Sequence, residues 1–311
     1  MKLSVIIPCK NEENTVDKLY EDINKTLKGV KYEAIFVNDG STDSTMDKLR
    51  ELYEKDVRHV KVISFSKNFR KEAAILAGLR YATGDYTAII DGNLEQNPEY
   101  LKEMIEVLDK EKEYDEVAMI PKERVNDSPA KARFRKRFYR MMNKLCNIDL
   151  ENADTDYRLF RKNVKDAILS LSEKNRFSRG MFSWIGFNIK FLTYEQEKNN
   201  RDGFNFKESF RYAVDGISAF TNKPLRWASK LGCFTIIADL IYLLVMIILC
   251  CTGTVCWSFG HTILMFMFLL FGVLFIILGI IGNYLALITT EVKNRPNYLI
   301  KEKLGFDETI L

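Results

Sequence analysis

The chain has 311 residues, of which 47% are hydrophobic and 28% are charged, and its formal net charge is +4. This length allows one or two domains, and the composition is that of an ordinary globular protein. The six cysteines show no C-x-x-C spacing, so the sequence suggests neither a structural zinc site nor a disulfide framework.

Five short apolar runs have the length of buried strands, and in chain order they are Leu3–Ile7, Ala34–Val37, Val60–Phe65, Thr87–Ile90 and Val117–Ile120. Stretches with a helical pattern separate them. The Asn and acidic residues at 11–14, and the Ser, Thr and Asp residues at 41–44, are typical of helix starts. This alternation predicts an α/β fold with a mainly parallel sheet and helices on both faces. The absence of G-x-G-x-x-G and P-loop motifs argues against those two nucleotide sites.

Two acidic turns follow predicted strands directly. Asn38–Asp43 comes after the second strand, and Asp91–Glu95 comes after the fourth. Because ligands of parallel sheets bind at the carboxyl ends of the strands, we expect the two turns to meet at one edge. The sequence therefore predicts a nucleotide and metal site there.

Two later segments, Gly232–Cys251 and Thr262–Thr289, are almost devoid of charge, and each is long enough to cross a bilayer. The exception is Asp239 in the first segment. An acid within a span is a candidate functional residue, but the basic residues that precede the segment favour an interfacial position or an ion pair for it.

Lys and Arg residues flank the outer ends of both segments, whereas the loop Thr252–His261 between them has neither. This bias predicts a multi-pass protein of the plasma membrane with both termini in the cytoplasm. The apolar run at the N-terminus is too short for a signal peptide. We therefore expect a cytoplasmic domain at 1–230, two transmembrane helices within 231–290 and a cytoplasmic tail at 291–311.

Several motifs resemble those of a known family, and in order they are Pro8–Glu12, Val37–Asp43, Lys67–Phe69, Asp91–Glu95, Asp154–Arg158 and Trp184–Phe187. Together with the two apolar segments they resemble the family-2 inverting glycosyltransferases of the GT-A (Rossmann-like) fold. Within that family the chain is similar to bactoprenol-phosphate glucosyltransferases and dolichol-phosphate mannose synthases. The resemblance covers nearly the whole chain. It implies a UDP-sugar donor, an undecaprenyl or other polyprenyl phosphate acceptor, glucose as the usual sugar, and Mg²⁺ or Mn²⁺.

The resemblance also implies roles for particular residues. Those implied to bind the donor nucleotide are Pro8, Asn11, Glu12, Asp39, Lys71 and Asp91, with Asp39 at the uracil edge. The implied catalytic residues are Asp156, at the position of the catalytic base, and Arg158 beside it. A lipid phosphate has a second pKa of about 6 and is largely ionised at neutral pH. Two other roles for Asp156 therefore stay open, which are to orient the acceptor or simply to pair with Arg158.

The chain departs from the family at the metal site, where D-x-D-L-Q is usual and this sequence has Asp91-Gly-Asn-Leu-Glu95. Asp91, Asn93 and Glu95 are then the expected metal ligands, with Glu95 restoring the charge that Asn93 lacks. A second departure is Arg70, which stands where the family usually has Gly in R-N-F-G. We expect Arg70 to alter contacts of the diphosphate or of its loop.

The segment Lys131–Arg140 interleaves basic and aromatic residues at helical spacing. Such a helix binds a membrane surface or nucleic acid, or is merely solvated. The two apolar segments favour an interfacial helix that recruits the lipid phosphate and disfavour nucleic acid. The expected acceptor-phosphate ligands are Arg133, Arg137, Arg179 and Arg201.

Three functions are therefore considered. The leading one is a membrane-anchored transferase that uses a UDP-sugar and a polyprenyl phosphate. A processive polysaccharide synthase would carry Q-x-x-R-W, but neither Gln96 nor Gln196 begins that motif. The third is a catalytically weakened or dead relative that acts as a membrane scaffold, which Asn93 motivates. The sequence leaves homo-oligomerisation open.

Overall fold

The structure is a computed structural model. It describes residues 1–122, 155–174, 176–195, 259–306 and, between 234 and 252, all except 236, 239, 243, 249 and 250. The described chain falls into two compact units, one formed by Met1–Phe210 with Pro296–Leu311 and the other by Arg211–Arg295.

The first unit begins with a regular alternation of strands and helices. Its elements are β1 (Lys2–Cys9), α1 (Val16–Thr26), β2 (Lys31–Asn38), α2 (Thr45–Lys55), β3 (Val60–Phe65), α3 (Lys71–Tyr81), β4 (Tyr86–Ile89), α4 (Tyr100–Lys110) and β5 (Glu116–Pro121). After residue 154 come β6 (Arg158–Arg161), α5 (Lys162–Ser170), α6 (Ser178–Trp184) and β7 (Ile189–Tyr194), and β8 (Ile300–Leu304) follows near the C-terminus.

The helices form where apolar residues recur at helical spacing. In α1, for example, Val16, Leu19, Tyr20 and Ile23 are buried, and they form one stripe along the helix. The strands β1 and β2 are buried along nearly their whole length. Such strands require cover on both faces of the sheet, as the sequence predicted.

The eight strands form one sheet in the order β7-β5-β6-β4-β1-β2-β3-β8. The central strands β4, β1, β2 and β3 run parallel, and β5 pairs in parallel with β7. Only the pairings of β6 with its two neighbours and of β8 with β3 are antiparallel. The predicted α/β fold with a mainly parallel sheet is therefore confirmed.

All five predicted strands are present, each within three residues of its predicted bounds. The strands β6, β7 and β8 were not predicted. β8 lies inside the segment expected to be a cytoplasmic tail, yet it pairs with β3 from Val62 opposite Leu304 to Phe65 opposite Ile300. Part of 291–311 is therefore an edge strand of the sheet.

Helix α3 packs on the centre of the sheet, against β1 and β2. Its residues from Ala73 to Leu79 are all buried. Gly78 permits this close approach, since a Cβ atom there would lie 2.3 Å from Cγ2 of Ile6. This packing fixes the start of α3, with Lys71 and Glu72, at the carboxyl edge of the sheet.

In the second unit, α7 (Phe259–Val292) is an apolar helix of 34 residues. Among the described residues it contains the one stretch that is long and apolar enough to cross a membrane, Leu269–Val292, and this stretch is not buried inside the protein. The first predicted span is described only in part, and its described residues between 234 and 248 are helical. The presence of two membrane spans and their orientation stay predictions.

Candidate active site

A cleft of about 370 Å³ lies where β1, β2 and β4 end, at the edge that the sequence predicted. The residues that line it are Pro8, Cys9, Lys10, Glu12, Asp39, Asn68, Arg70, Lys71, Asp91, Gly92 and Asn93. Five of the six predicted donor-binding residues are among them.

Asp39 is held at the end of β2 by backbone contacts. Its N–H donates to the carbonyl of Cys9 at 2.9 Å, and its Oδ1 accepts the N–H of Phe69 at 2.6 Å. The next residue, Gly40, has a φ of 61°, and a Cβ atom there would lie 2.4 Å from the carbonyl carbon of Lys67. Burial raises the pKa of Asp39. The carboxylate is thus fixed in the cleft wall.

Side chains join the loop after β1 to the loop after β2. Asn11 donates its N–H to Ser41 Oγ at 3.0 Å and accepts the N–H of Thr42 at 2.9 Å. The N–H of Glu12 donates to Thr45 Oγ1 at 2.7 Å. Glu12 lines the cleft, whereas Asn11 is exposed and is not among the lining residues. Asn11 therefore shapes the loops that carry the predicted nucleotide pocket.

Asp91 is oriented by Gln96, a buried residue that the sequence analysis did not assign to the site. Gln96 Oε1 accepts the N–H of Asp91 at 2.9 Å, and its Nε2 donates to Asp91 Oδ2 at 3.2 Å. This arrangement closes the acidic turn on itself. Within the turn, Asn93 Oδ1 accepts the N–H of Glu95 at 3.2 Å, and Leu94 has a φ of 61°.

Lys71 forms ion pairs with two carboxylates of the site. Its Nζ lies 2.6 Å from Oδ1 of Asp91 and 2.7 Å from Oδ2 of Asp156. Burial works to lower the pKa of Lys71, but Asp156 and Asp91 outweigh it and raise that pKa above its ordinary value. The ammonium group is therefore charged throughout the physiological range.

Arg179 binds Asp156 from the other side. Its Nε donates to Oδ1 and its Nη2 to Oδ2, both at 3.0 Å, so the guanidinium forms a two-point contact. Burial opposes ionisation of Asp156, yet Arg179 and Lys71 hold its pKa well below the ordinary value. Asp156 is thus a carboxylate that holds two cations together. It is poorly suited to take up a proton at neutral pH.

A contact between α3 and α6 positions the two cations Lys71 and Arg179. Glu72, next to Lys71 on α3, accepts the N–H of Ser178 at 3.0 Å and also accepts the Ser178 hydroxyl. Ser178 begins α6 and directly precedes Arg179. This contact therefore joins the start of α3, which carries Lys71, to the start of α6, which carries Arg179. No local pattern predicts this contact, because it joins residues more than a hundred positions apart.

Arg158 differs from its expected position beside Asp156. Its guanidinium is fully buried, and it donates to Glu116 Oε1 at 2.6 Å and to the carbonyl of Thr155 at 2.9 Å. It also lies over the ring of Phe182, with 4.8 Å to the centroid. A desolvated cation needs such a counter-ion, and Glu116 on the neighbouring strand provides it. The alternative that Asp156 simply pairs with Arg158 is not favoured, because the structure pairs Asp156 with Lys71 and Arg179 and Arg158 with Glu116. The catalytic role implied for Arg158 stays a prediction.

The donor set at the acidic turn fits a divalent cation that also binds a substrate phosphate. Asp91 and Asn93 line the cleft, whereas Glu95 is not among its lining residues. The described part of the chain holds no group of three or more His, Cys, Asp or Glu residues placed to bind a metal. Mg²⁺ commonly uses one or two protein oxygens and takes its other ligands from phosphates and water. Asp91 and Asn93 supply oxygens of that type.

The remaining acceptor-side predictions, Arg133, Arg137 and Arg201, lie outside the described residues. Of the four predicted phosphate ligands, the structure describes Arg179, and it places this residue on Asp156.

Comparison with known proteins agrees with this geometry. Residues 4–169 match the model of the family described as glycosyl transferase family 2. Bacillus subtilis CsbB, which is named as a glycosyltransferase, is 39% identical over 96% of this chain and 91% of its own. The SfII prophage-derived bactoprenol glucosyl transferase of Shigella flexneri is 32% identical over 97% of this chain and 98% of its own.

Among solved structures, the fold is similar to that of mannosyl-3-phosphoglycerate synthase from Rubrobacter xylanophilus. The TM-score is 0.51 at 14% sequence identity, over 74% of this chain and 75% of that one. This likeness supports the fold. The family match spans more than half of the chain, and both relatives match it over nearly their whole length, so this protein belongs to glycosyl transferase family 2.

Proposed function

We propose that this protein is a membrane-anchored, inverting glycosyltransferase that moves glucose from UDP-glucose to undecaprenyl phosphate at the cytoplasmic face of the membrane. The observation that carries the proposal is the ion pair network of Lys71, which joins Asp91 on the donor side to Asp156 on the acceptor side. The relatives named bactoprenol glucosyl transferases support the choice of sugar and acceptor.

On the donor side, the fixed carboxylate of Asp39 is suited to accept the N–H of a uracil base, with Pro8 and Glu12 beside it in the cleft. The diphosphate then extends toward Asp91. Asp91 and Asn93 would hold Mg²⁺ or Mn²⁺ there, and the bound ion would neutralise the charge that develops on the departing UDP. Lys71 provides a further positive charge at the same point.

On the acceptor side, an oxygen of the lipid phosphate attacks the anomeric carbon as the bond from that carbon to the diphosphate breaks. The attacking phosphate is largely ionised at neutral pH and needs no strong base. Asp156 would act by holding Arg179 and Lys71 where the phosphate enters. This role agrees with its low pKa and replaces that of a proton acceptor.

The membrane part of the proposal is supported by α7, whose apolar stretch is exposed along its length. The predicted first span and the basic segment Lys131–Arg140 would complete the anchor and the entry for the lipid. A lipid phosphate has to reach the cleft from the membrane surface, and an anchor keeps the enzyme at that surface.

The test is transfer of radiolabel from UDP-glucose to an organic-extractable lipid by the full-length protein with undecaprenyl phosphate. We expect turnover with Mg²⁺ or Mn²⁺, loss of turnover in chelator, and loss in Asp91→Ala. Asp47→Ala is the matched control, because Asp47 is an exposed acid on α2 with a surface ion pair to Arg50. Full turnover in excess chelator would contradict the metal requirement.

A weakened relative that serves as a membrane scaffold is the second candidate, since Asn93 replaces a carboxylate and Glu95 is not among the cleft-lining residues. This candidate gains support if no UDP-sugar yields a lipid-linked product while UDP still binds. Restored turnover in Asn93→Asp would locate the defect at that position.

A further inference from the structure

Arg70 has a backbone conformation that side chains rarely adopt. Its φ is 76° and its ψ is 162°, in a region that is occupied almost only by glycine. Arg70 therefore occupies a backbone conformation suited to glycine. A strained residue at a cleft is a candidate for a functional contact.

The surrounding loop holds Arg70 in this conformation from several sides. The N–H of Arg70 donates to Asn68 Oδ1 at 2.8 Å, and the N–H of Phe69 donates to Asp39. The turn at Gly40 packs directly against the same loop. The carbonyl of Arg70 accepts N–H groups from the first turn of α3. The strain is therefore imposed by contacts that also build the cleft.

The position of Arg70 along the cleft identifies the part of the ligand that it would meet. The residue before it binds Asp39 at the proposed base end, and the residue after it, Lys71, binds Asp91 at the proposed diphosphate end. Arg70 lines the cleft between them. Asp156 and Arg179, which define the acceptor side, are not among the lining residues of this cleft.

The charge of Arg70 is also available for a ligand. Its side chain is exposed, and no carboxylate of the described residues forms an ion pair with it. Lys71, by contrast, already forms ion pairs with Asp91 and Asp156, which offset its charge. A guanidinium matches the oxygens of a diphosphate with two parallel hydrogen bonds.

We infer that Arg70 is a donor-binding residue that contacts the diphosphate of the nucleotide sugar, at the cost of backbone strain. The inference rests on the proposed function for the identity of the donor. It predicts that this chain binds a nucleoside diphosphate with a protein cation directly before the start of α3. The strain and the contact can be separated by choice of substitution.

The experiment measures binding of UDP and of uridine to the full-length protein by calorimetry, at fixed Mg²⁺, together with thermal unfolding. Arg70→Lys keeps the charge and the strain, Arg70→Gln keeps only the strain, and Arg70→Gly removes both. Lys67→Gln is the control, because Lys67 is an exposed cation of the same loop that does not line the cleft.

We expect Arg70→Gln and Arg70→Gly to weaken UDP binding about tenfold, as for loss of one charge-assisted hydrogen bond. Arg70→Lys keeps the charge but not the two-point contact, so it should lose less affinity than Arg70→Gln while staying weaker than the wild type. Uridine binding should not change in any variant. Arg70→Gly alone should raise the midpoint of thermal unfolding, by about 2–4 °C. Lys67→Gln should change neither property.

Two results would overturn the inference while leaving the donor class intact. One is unchanged UDP affinity in Arg70→Gln and Arg70→Gly. The other is an equal loss of UDP and uridine affinity, which would indicate a distorted loop. If the wild-type protein bound neither UDP nor uridine, the proposed function would fail as well, so the two failures are distinguishable.

Discussion

The substitution Asp156→Asn tests the most charged point of the site. Asp156 is almost buried, with its side chain 10% exposed, and it pairs with both Arg179 and Lys71. Removing one partner of a buried pair costs about 3–5 kcal/mol. Because Lys71 keeps Asp91 as a partner, we expect the lower end, about 3 kcal/mol. At about 2–4 °C per kcal/mol, the midpoint of thermal unfolding should fall by about 6–12 °C.

The pH dependence of this effect follows from the sign of the pKa shift. Despite burial, Arg179 and Lys71 lower the pKa of Asp156 in the folded protein. The unfolded chain therefore takes up the proton first as the pH falls. The stabilisation is fully present above the ordinary carboxyl pKa of about 4, and it is lost as the pH falls through the lower folded-state pKa.

The assay is thermal unfolding of the full-length wild-type protein and of Asp156→Asn between about pH 8 and pH 2.5. The gap in midpoint should stay constant down to about pH 5 and shrink only below about pH 4. Asp47→Asn, which removes an exposed ion pair, should cost less than about 1 kcal/mol. A gap that vanished between pH 7 and pH 5 would mean that Asp156 binds a proton there, which would refute the reasoning and restore its role as a base.

Further substitutions test three other features, which are the contact of α3 with α6, the acidic turn and the packing of α3 on the sheet. Glu72→Ala should raise the KM for the lipid phosphate while leaving UDP affinity within about twofold, because Glu72 positions Arg179 through α6. Glu72→Gln keeps an acceptor oxygen and should recover most of the loss. In metal titrations of turnover, Asn93→Asp should strengthen metal binding more than Glu95→Gln weakens it, because of the two only Asn93 lines the cleft. Gly78→Ala should lower the free energy of unfolding by about 1–2 kcal/mol in denaturant titrations, since the clash with β1 exceeds the gain in helix propensity; a more stable variant would contradict that packing.

The sequence was most informative where local pattern and burial coincide. The five apolar strands and the two acidic turns were predicted in place, because buried parallel strands are continuous apolar runs. β6 and β8 escaped prediction because each is short and carries charged residues, such as Arg158 in β6 and Lys303 in β8. Their pairing depends on partners far along the chain. No local pattern encodes such contacts.

Some residues of the candidate site could likewise be placed from the sequence, and others could not. Asp39 and Asp91 could be placed from the strands that precede them. The partners of Asp156 could not, since Lys71 and Arg179 arrive from two helices that are far apart in the chain. A pair between Asp156 and Arg158 was one open alternative, because the two residues are close in the chain. The buried Glu116 on the next strand competes successfully for Arg158.

Because the edge strand β8 follows α7 in the chain, the sheet is completed late in synthesis. The ribosome produces Ile300–Leu304 only after the whole of α7, so the sheet gains its last strand after the apolar helix has been synthesised. Until then the edge of β3 presents unpaired backbone groups, which are a template for aggregation. A recombinant fragment that stops before Phe259 would carry that open edge permanently. A soluble version of the catalytic unit therefore needs the C-terminal strand joined back to it.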